Sequence, residues 1–460
     1  MPLVHIRHSQ IEKLAFLAKS VRIFTAGEYP AVLMPTREVG SFCIALTELC
    51  DYAKIIKRKG ALDSMEKRMN LPEDVKYITS KLLEAGYEAF VVGGAVRDFL
   101  LGKVPGDYDI TTSAKPSEVK EVFKNEKTVD TGIKHGTVSV VLNHKAYEIT
   151  TYRIDGEYID ARHPESVSFT RNIQDDLSRR DFTVNAMAYN EVTGLVDLFS
   201  GGKDLERGII RAVGFAEKRF EEDALRILRA LRFASRLDFK IEENTSRAIF
   251  EKAPILKKVA KERIYGEWIK LLSGKAAYRI INQYRDVVKI FIPELSKISL
   301  PDEESFLKAD GTLRFISLFA NKDSGAWLSA LDSLHADNKT KMLGKILLEN
   351  LDAPLTSEYK IKLMLSKIGE ENTKKLIEFR KALKKNVSEE YGIFEKIIES
   401  GACFRLSDMA ISGKELGEIG ITGRKTGEIL SKALDAVMSG KVQNEREALL
   451  AFVVKLSEKE

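Results

Sequence analysis

The sequence predicts an α+β protein in which a small mixed-sheet domain is followed by a long helical arm. From Tyr87 to about Leu198, short strand-like runs alternate with helical stretches, and YEAFVV, GDYDITT, TVSVVL and KAYEITTYRI are typical of strands. Beyond about Gly202, amphipathic helices separated by Gly, Pro and Asp turns replace them. We therefore divide the chain into an N-terminal extension (1–68), a mixed-sheet head (69–200), a helical neck (201–274), a helical body (275–395) and a helical tail (396–460).

Length and composition indicate a globular protein of several domains. The chain has 460 residues, 44% of them hydrophobic, and a net charge of +5. No apolar run approaches the roughly 18 residues needed to cross a bilayer, and the first residues lack the pattern of a signal peptide. The three cysteines, Cys43, Cys50 and Cys403, form no close pair. We therefore expect a soluble cytoplasmic protein without a membrane partner, and the mild positive charge alone identifies no ligand.

The head is predicted to begin with a helix. In LPEDVKYITSKLLEAG, Pro72 and early acids occupy the first turn, apolar residues recur at helical spacing, and Gly86 closes the segment. The preceding residues 1–68 carry no pattern that we can place, and either Met65 or Met69 could be the natural start. The extension is thus either a lineage-specific addition or an overlong reading of the gene.

The stretch FVVGGAVRDFLLGKVPGDYDITT joins a glycine turn to a pair of acids. Gly93 and Gly94 follow a strand and precede a helical segment, which brings backbone N–H groups toward an anion. Asp107 and Asp109 face the same side of a strand, where Mg²⁺ would relieve their repulsion. Glu148 can join them if its strand is adjacent. A Gly-Gly turn or a DxD is weak alone, but together they predict a triphosphate site beside Mg²⁺ ions that activate a hydroxyl and stabilise a leaving pyrophosphate.

Two later segments carry arginines that need anionic partners. In RRDFTVNAMAY, adjacent arginines lead into what we interpret as an apolar helix. In FEEDALRILRALRFASRLDF, Asp223, Arg226, Arg229 and Arg232 recur every three residues, so they share one edge of a helix. A solvated charged face is the ordinary interpretation, but the apolar neighbours indicate an inward-facing helix. A nucleoside triphosphate would supply phosphates and base edges that match the planar Arg fork.

These motifs resemble those of the class II tRNA nucleotidyltransferases and bacterial poly(A) polymerases, whose head is of the DNA polymerase β-like nucleotidyltransferase type. GGAVRDFLLG…DYDITT is similar to the first motif of the family, RRDFTVNA to the second and DLFSGGKDLERGIIRAVG to the hinge-like third. EDALR resembles the base-reading EDxxR motif, and KERIYGEW the neck motif with its Glu-Arg pair. The resemblance is strong over residues 71–274. It resumes weakly at ISGKELGEIGITGRKTGEIL, which is similar to the tail of the family.

The resemblance implies roles for individual residues. Asp107 and Asp109 would be the metal ligands, and with Glu148 they form the predicted catalytic set. Asp223 would accept from the exocyclic amine of C or A, while Arg226 would donate to the neighbouring ring acceptor. The complete set of nucleotide-binding residues that we predict is Gly93, Gly94, Arg97, Arg180, Asn185, Asp223, Arg226, Arg229 and Arg232.

The implied activity is template-independent addition of CMP and AMP, from CTP and ATP, to the 3′ end of tRNA. The helical arm would bind the tRNA acceptor end and elbow through basic stretches such as KAPILKKVAKER and RKALKKN, which could equally be solvated helix faces; DNA is not an expected partner. RIDGEYIDARHPESV resembles the flexible loop that members adding only CC lack. An A-adding enzyme or poly(A) polymerase is the second hypothesis, and a non-catalytic RNA-binding protein the third. Nothing in the sequence indicates an oligomeric state.

Overall fold

The structure, a computed structural model, describes residues 68–156, 167–296 and 300–458. Predictions for residues 1–67, and for most of the stretch RIDGEYIDARHPESV, lie outside these residues. Within them, a mixed sheet with flanking helices is followed by a long series of helices. The predicted α+β class is therefore confirmed. None of the described helices is long and apolar enough to cross a membrane.

The head is built on one seven-stranded sheet. Its strands are β1 (Ala89–Val92), β2 (Asp109–Thr112), β3 (Lys127–Gly132), β4 (Thr137–Leu142), β5 (Lys145–Thr151), β8 (Met187–Asn190) and β9 (Gly194–Asp197). Their order is β3-β4-β5-β2-β1-β8-β9, and only β2 and β5 run parallel to each other. Two further pairs stand apart from this sheet: β6 (Arg153–Asp155) with β7 (Val167–Phe169), and β10 (Ile209–Ile210) with β11 (Lys240–Ile241). The last pair places two short strands in the neck, where we expected only helices.

Helices cover the head sheet on both faces. They are α1 (Glu73–Glu84), α2 (Gly94–Leu100), α3 (Pro116–Val122) and α4 (Ile173–Ser178); α5 (Gly201–Glu206) follows β9 at the start of the segment assigned to the neck. Helix α1 begins after Pro72, as predicted, and buries Val75, Ile78 and Leu82 against the sheet residues Ile110 and Ile149. A smaller cluster on the other face packs Phe90 and Tyr152 against Leu177 of α4. Because apolar side chains pack against both faces of the sheet, the end of the sheet at which β2 begins is held in place.

The prediction that RRDFTVNAMAY leads into an apolar helix is wrong. Thr183–Asn185 form a single 3₁₀ turn, and Met187–Asn190 form strand β8, which pairs with β1. All four residues of β8 are buried. A short apolar run that is buried on both faces has no period of its own, so pairing with β1 decides its conformation.

The arm consists of helices joined by short turns. The neck helices are α6 (Ala216–Glu222), α7 (Leu225–Leu237), α8 (Glu243–Lys252) and α9 (Lys261–Leu272). The body helices are α10 (Ala277–Gln283), α11 (Arg285–Phe291), α12 (Glu303–Lys308), α13 (Gly311–Ser317), α14 (Ser324–Ser333), α15 (Asn338–Glu349), α16 (Glu358–Ile368) and α17 (Glu370–Ala382). These are followed by α18 (Ser388–Glu399), α19 (Gly413–Glu418), α20 (Arg424–Met438) and α21 (Arg446–Ser457).

One hydrophobic cluster, which we call the neck–body core, runs through the neck and the body. It contains both tryptophans, Trp268 and Trp327, and it also includes Phe182 and Val184 from the head sequence. The tail has a separate small cluster that includes Leu416, Ile429 and Leu449. The division of residues 201–395 into neck and body remains a prediction, because both parts contribute to the same core.

A buried arginine stabilises the junction between neck and body. Arg314 of α13 is only 9% exposed, and its guanidinium donates to five backbone carbonyls. Two of them, at Leu272 and Gly274, lie at the end of α9, and the other three lie within residues 306–309. A helix end leaves carbonyls without helical partners, and this one side chain satisfies them.

Candidate active site

A cavity of about 450 Å³ lies where the head meets the neck. Its walls come from the β1–α2 turn, the start of β2, the RRDF segment and the first turns of α7. The residues that line it are Gly93, Gly94, Arg97, Asp109, Arg179, Arg180, Asp181, Asn185, Asp223, Leu225, Arg226, Arg229, Phe233 and Arg263. Nine of the predicted site residues are in this set. Asp107, Glu148 and Arg232 are not in it.

The turn between β1 and α2 requires glycine at its first position. Gly93 has φ +70° and ψ −123°, a conformation that is costly for residues with a Cβ atom. A Cβ atom there would also lie 3.2 Å from the guanidinium of Arg180. Gly94 is different, because a Cβ atom would make only ordinary contact, 3.7 Å from Arg97. The close approach of the backbone to Arg180 is therefore specific to Gly93.

The predicted acids lie on, or directly before, two adjacent strands in the interior of the head sheet, and Asp107 precedes β2. Asp109 begins β2, and the parallel register Ile110–Ile149 places Glu148 beside it on β5. The adjacency that the prediction required is thus present. Burial raises the pKa of Asp109, the charge of Asp107 raises it further, and Arg180 opposes both effects. Such mutual repulsion favours a bound cation, and Mg²⁺ commonly takes one or two carboxylates together with substrate phosphates. Among the described residues, however, no three acidic, His or Cys side chains are grouped closely enough to hold a metal ion.

Asp181 connects the head to the neck. Its Oδ2 accepts from Nε and a terminal nitrogen of Arg229 at 2.8 and 2.5 Å, and its Oδ1 accepts from Asn185 at 3.1 Å. Asn185 in turn accepts from Arg97 at 2.7 Å. Burial alone would raise the pKa of Asp181, but Arg229 and Asn185 outweigh it and hold the pKa below its ordinary value. We did not predict Asp181 as a site residue, although it stands directly after the two arginines of RRDF.

A second buried carboxylate orients those arginines. Asp176 of α4 is fully buried; its Oδ1 accepts from Arg179 at 2.6 Å and its Oδ2 from Arg180 at 3.1 Å. The two guanidiniums keep its pKa low despite the opposing effect of burial. Arg180, which lines the cavity, is therefore held by a carboxylate outside the cavity lining. No signal in the sequence distinguished Asp176 from its neighbour Asp175.

We had expected Asp223 and the arginines that follow it to lie on one edge of a continuous helix, but the EDALR segment is interrupted at Asp223. Asp223 lies between α6 and α7 with φ −139° and ψ 103°, which is extended backbone. Its Oδ2 accepts from Arg263 of α9 at 3.1 Å. Arg226, on α7, donates to Glu222 at 2.6 Å and to the carbonyl of Arg179 at 2.9 Å. Both members of the predicted base-reading pair thus have protein partners in this structure.

Arg232 faces away from the cavity. Its side chain is buried, donates to Glu267 of α9 at 2.5 Å, and stacks on the ring of Phe233, with the guanidinium carbon 3.9 Å from the ring centroid. The same ring contacts Arg97 and Arg229 at 5.3 and 5.5 Å. Phe233 was not predicted, and it separates the inner arginine from the two that line the cavity.

A second cavity of about 740 Å³ lies beside the first and shares Arg179 with it. Its lining alternates acidic and basic side chains of β6, α4 and α6, including Asp155, Lys218 and Glu222. The glycine turn, Asp109 and the arginines from two elements all belong to the smaller cavity. The smaller cavity is therefore the candidate active site.

Fold and site together define a polymerase-type nucleotidyltransferase, and the comparisons with known proteins agree. The family described as "Poly A polymerase head domain" matches residues 89–211, "Probable RNA and SrmB- binding site of polymerase A" matches 238–298, and tRNA nucleotidyltransferase domain 2 matches 315–453. The CCA-adding enzyme of Ligilactobacillus salivarius is 37% identical over 413 residues, which covers 85% of this chain and 98% of that protein. The CCA-adding enzyme of Leuconostoc mesenteroides is 38% identical over 396 residues, covering 82% and 95%.

Solved structures extend the similarity to the fold. The crystal structure of the Bacillus stearothermophilus CCA-adding enzyme in complex with CTP has a TM-score of 0.72 at 32% identity, and the alignment covers 85% of this chain and 99% of that one. The Thermotoga maritima CCA-adding enzyme complexed with tRNA has a TM-score of 0.62 at 25% identity, covering 84% and 96%. The chain belongs to the family of CCA-adding enzymes, a subset of the family that its motifs resemble.

Proposed function

We propose that this protein adds CMP and AMP to the 3′ end of tRNA, so that it builds or repairs the CCA terminus and releases pyrophosphate. The observation that carries the proposal is the cavity of about 450 Å³ at the head–neck boundary, which residues of both parts line. There, Asp109 and the arginines of the head lie opposite Asp223 and Arg226 of the neck. This arrangement supports a phosphate site and a base site within one cavity. Membership of the CCA-adding family supports CTP and ATP as the substrates.

The head residues would bind the triphosphate and the attacking hydroxyl. Arg97 and Arg180 line the cavity beside the glycine turn, and their planar forks suit phosphate oxygens. Asp107 and Asp109 would hold Mg²⁺, which when bound would activate the tRNA 3′-hydroxyl and neutralise the leaving pyrophosphate. Glu148, beside Asp109 in the sheet, is available to orient that hydroxyl. The hydroxyl then attacks the α-phosphate, while the arginines retain the other two phosphates.

The neck residues would select the base. Cytosine and adenine each present an exocyclic amine next to a ring acceptor, which matches the acceptor Asp223 and the donor Arg226. Uracil and guanine present a carbonyl and a ring N–H there, so the carboxylate would face an oxygen and both polar groups would be left unpaired. Sites that hydrogen-bond a substrate group reject analogues without it for this reason. The contacts of Arg226 with Glu222 and the Arg179 carbonyl hold its guanidinium at the cavity wall.

The helical arm would bind the tRNA acceptor end and elbow through contacts to phosphate and shape. Lys257 and Lys258, in the first basic stretch, are exposed and available. The second stretch is less suitable, because Arg380 is buried and paired with Glu390 at 3.0 Å, and Lys384 and Lys385 are paired with Asp302 and Asp352. Lys257→Glu should therefore weaken tRNA binding in a filter-binding assay more than Lys385→Glu does. We also propose a cytoplasmic location, which cell fractionation would test.

Incorporation assays test the proposed activity. Purified protein is incubated with tRNA that ends before CCA, after C, or after CC, and with each labelled nucleoside triphosphate in turn. We expect CMP on the first two substrates and AMP on the third. Incorporation only on the CC-ended tRNA would indicate an A-adding enzyme, long A tails on unrelated RNA a poly(A) polymerase, and no incorporation a non-catalytic RNA-binding protein. Chelation should stop the reaction, and Mg²⁺ should restore it.

A further inference from the structure

One aromatic ring contacts three guanidiniums at the wall of the candidate active site. Phe233 of α7 is 8% exposed and lines the cavity of about 450 Å³. The guanidinium carbons of Arg97, Arg229 and Arg232 lie 5.3, 5.5 and 3.9 Å from the centroid of its ring. A cation within about 6 Å of the centroid is attracted to the face of the ring. Because Arg97 belongs to the head and the other two arginines to the neck, the ring contacts cations from both parts.

The three guanidiniums carry like charges in a positively charged wall. Six arginines and three aspartates are among the described residues that line the cavity. Burial lowers the pKa of Arg232, and the nearby charge of Arg229 lowers it further, while Glu267 opposes both effects. The face of an aromatic ring is negative and attracts cations without carrying a net charge. The ring of Phe233 therefore offsets part of the repulsion and leaves the positive charge of the wall intact.

A chain of hydrogen bonds joins two of these arginines across the head–neck boundary. Arg97 donates to Oδ1 of Asn185 at 2.7 Å, and Nδ2 of Asn185 donates to Oδ1 of Asp181 at 3.1 Å. The other oxygen of Asp181 accepts from Arg229. Because Asn185 uses both ends of its amide, a turn of that amide would break both bonds. Arg97 and Arg229 thus have a polar link and also share the ring of Phe233 as an apolar support.

We propose that Phe233 is a positioning residue for the triphosphate, because its ring holds Arg97 of the head and Arg229 of the neck at the cavity wall before the nucleotide binds. This inference rests on the proposed function. Long side chains that are already ordered lose little conformational freedom when they bind phosphate, and such preorganisation increases affinity. A ring suits this role better than a further carboxylate, which would compete with phosphate for the same N–H donors. Nη1 of Arg229, for example, donates to none of the described residues and is available to a phosphate oxygen.

The first test is the KM for CTP and for ATP. Phe233→Leu should raise both values about tenfold with little change in kcat, the loss expected when two guanidiniums no longer have an aromatic support. Phe319→Leu is the matched control, because Phe319 is also buried in the neck–body core and packs edge-on against Trp327, outside the cavity. The control should keep both wild-type KM values. Unchanged KM values in Phe233→Leu would overturn the proposal, and so would a tenfold rise in the control.

Competition against CTP distinguishes positioning of the phosphate ligands from a general distortion of the cavity. The inhibition constant of inorganic tripolyphosphate should rise about tenfold in Phe233→Leu, whereas that of cytidine, which has no phosphate, should stay at the wild-type value. Equal rises for the two inhibitors would refute the positioning role. If Phe233→Leu does not fold, Phe233→Met preserves most of the volume without the aromatic face and has the same expected result.

A double-mutant cycle with Arg97 tests whether the ring acts through the guanidiniums. In the Arg97→Gln background, one of the two supported cations is absent, so Phe233→Leu should raise the KM for CTP only about threefold. A full tenfold rise in that background would show that the two effects are independent and would refute the inference. A wild-type protein that incorporates neither CMP nor AMP would refute the proposed function itself. An active wild type with an insensitive Phe233 variant would refute only this inference.

Discussion

Asp181→Asn tests whether the head is joined to the neck by charge. The substitution keeps the shape of the side chain but removes the charge opposite Arg229. The new amide can also place its NH₂ group at the position of Oδ2, which accepts two N–H groups of Arg229 in the wild type. Breaking a fully buried pair costs about 3–5 kcal/mol, and breaking an exposed one costs less than about 1 kcal/mol. Asp181 is 8% exposed and Arg229 35% exposed, so the pair lies between these limits. We expect a loss of about 2 kcal/mol in the free energy of unfolding.

Urea unfolding followed by tryptophan fluorescence is a suitable assay. Both tryptophans, Trp268 and Trp327, are buried in the neck–body core, so the signal reports on the side of the boundary that holds Arg229. Asp238→Asn is the control: its exposed partner is also an arginine, and asparagine tolerates the φ of +60° found there. The control should lose less than about 0.5 kcal/mol. Equal losses in the two variants would refute a special role for Asp181.

The pH dependence of this difference provides a second check. The folded pKa of Asp181 lies below its ordinary value of 3.8, so its charge stabilises the protein above that pH. As the pH falls through the folded pKa, the carboxyl protonates and the advantage over Asn disappears. The difference between wild type and Asp181→Asn should therefore be constant from pH 7 to about pH 5 and shrink below 3.8. A difference that already shrinks near pH 6 would contradict the assignment.

Four further substitutions test the remaining parts of the site. Asp109→Asn should abolish CMP and AMP incorporation without changing tRNA affinity in a gel-shift assay; residual turnover near the wild-type rate would exclude it as a metal ligand. Gly93→Ala should cost about 1–3 kcal/mol of strain and raise the KM for CTP, whereas Gly94→Ala should not strain the fold, so equal unfolding midpoints would contradict the geometry. Arg232→Met should destabilise the protein by about 3 kcal/mol with an unchanged KM for CTP, because Arg232 pairs with Glu267 outside the cavity; a raised KM would make it a nucleotide contact.

The sequence predicted the elements whose signal is local. Helix α1 has a proline start and regular apolar spacing, and β2 and β5 each end in a run of β-branched residues, Ile-Thr-Thr. Strand β8 was missed because four buried residues have no period, and its conformation depends on pairing with β1. Asp223 was assigned to a helix because a spacing of three continues through it, whereas the chain breaks there to reach Arg263.

The site was predictable as a set of residues but not as a network. The motifs and their resemblance to a known family indicated nine residues that line the cavity, yet they could not show which ion pairs hold them. Asp181 and Arg229 are 48 residues apart, so only the folded chain reveals their contact. Arg232 continues the spacing of the arginines that line the cavity. Because residues three apart drift around the helix, Arg232 points away from the cavity and contacts Glu267. Periodicity predicts a face of a helix, and packing decides which side chains on its edge are buried.

The inclusion of Phe182 and Val184 in the neck–body core has a consequence for biosynthesis. The ring of Phe182 packs edge-on against Phe233, at 5.8 Å between centroids, so the segment that carries Asp181 reaches its final place only when α7 and α9 are available. The head has its own core and can fold as it leaves the ribosome. Truncated chains that end at residue 200 should thus be protease-resistant in the head and unable to bind CTP, while truncated chains that extend past residue 320 should bind it; CTP binding by the shorter chains would contradict this order. An incomplete polypeptide would then bind neither nucleotide nor tRNA before the arm that positions them has been synthesised.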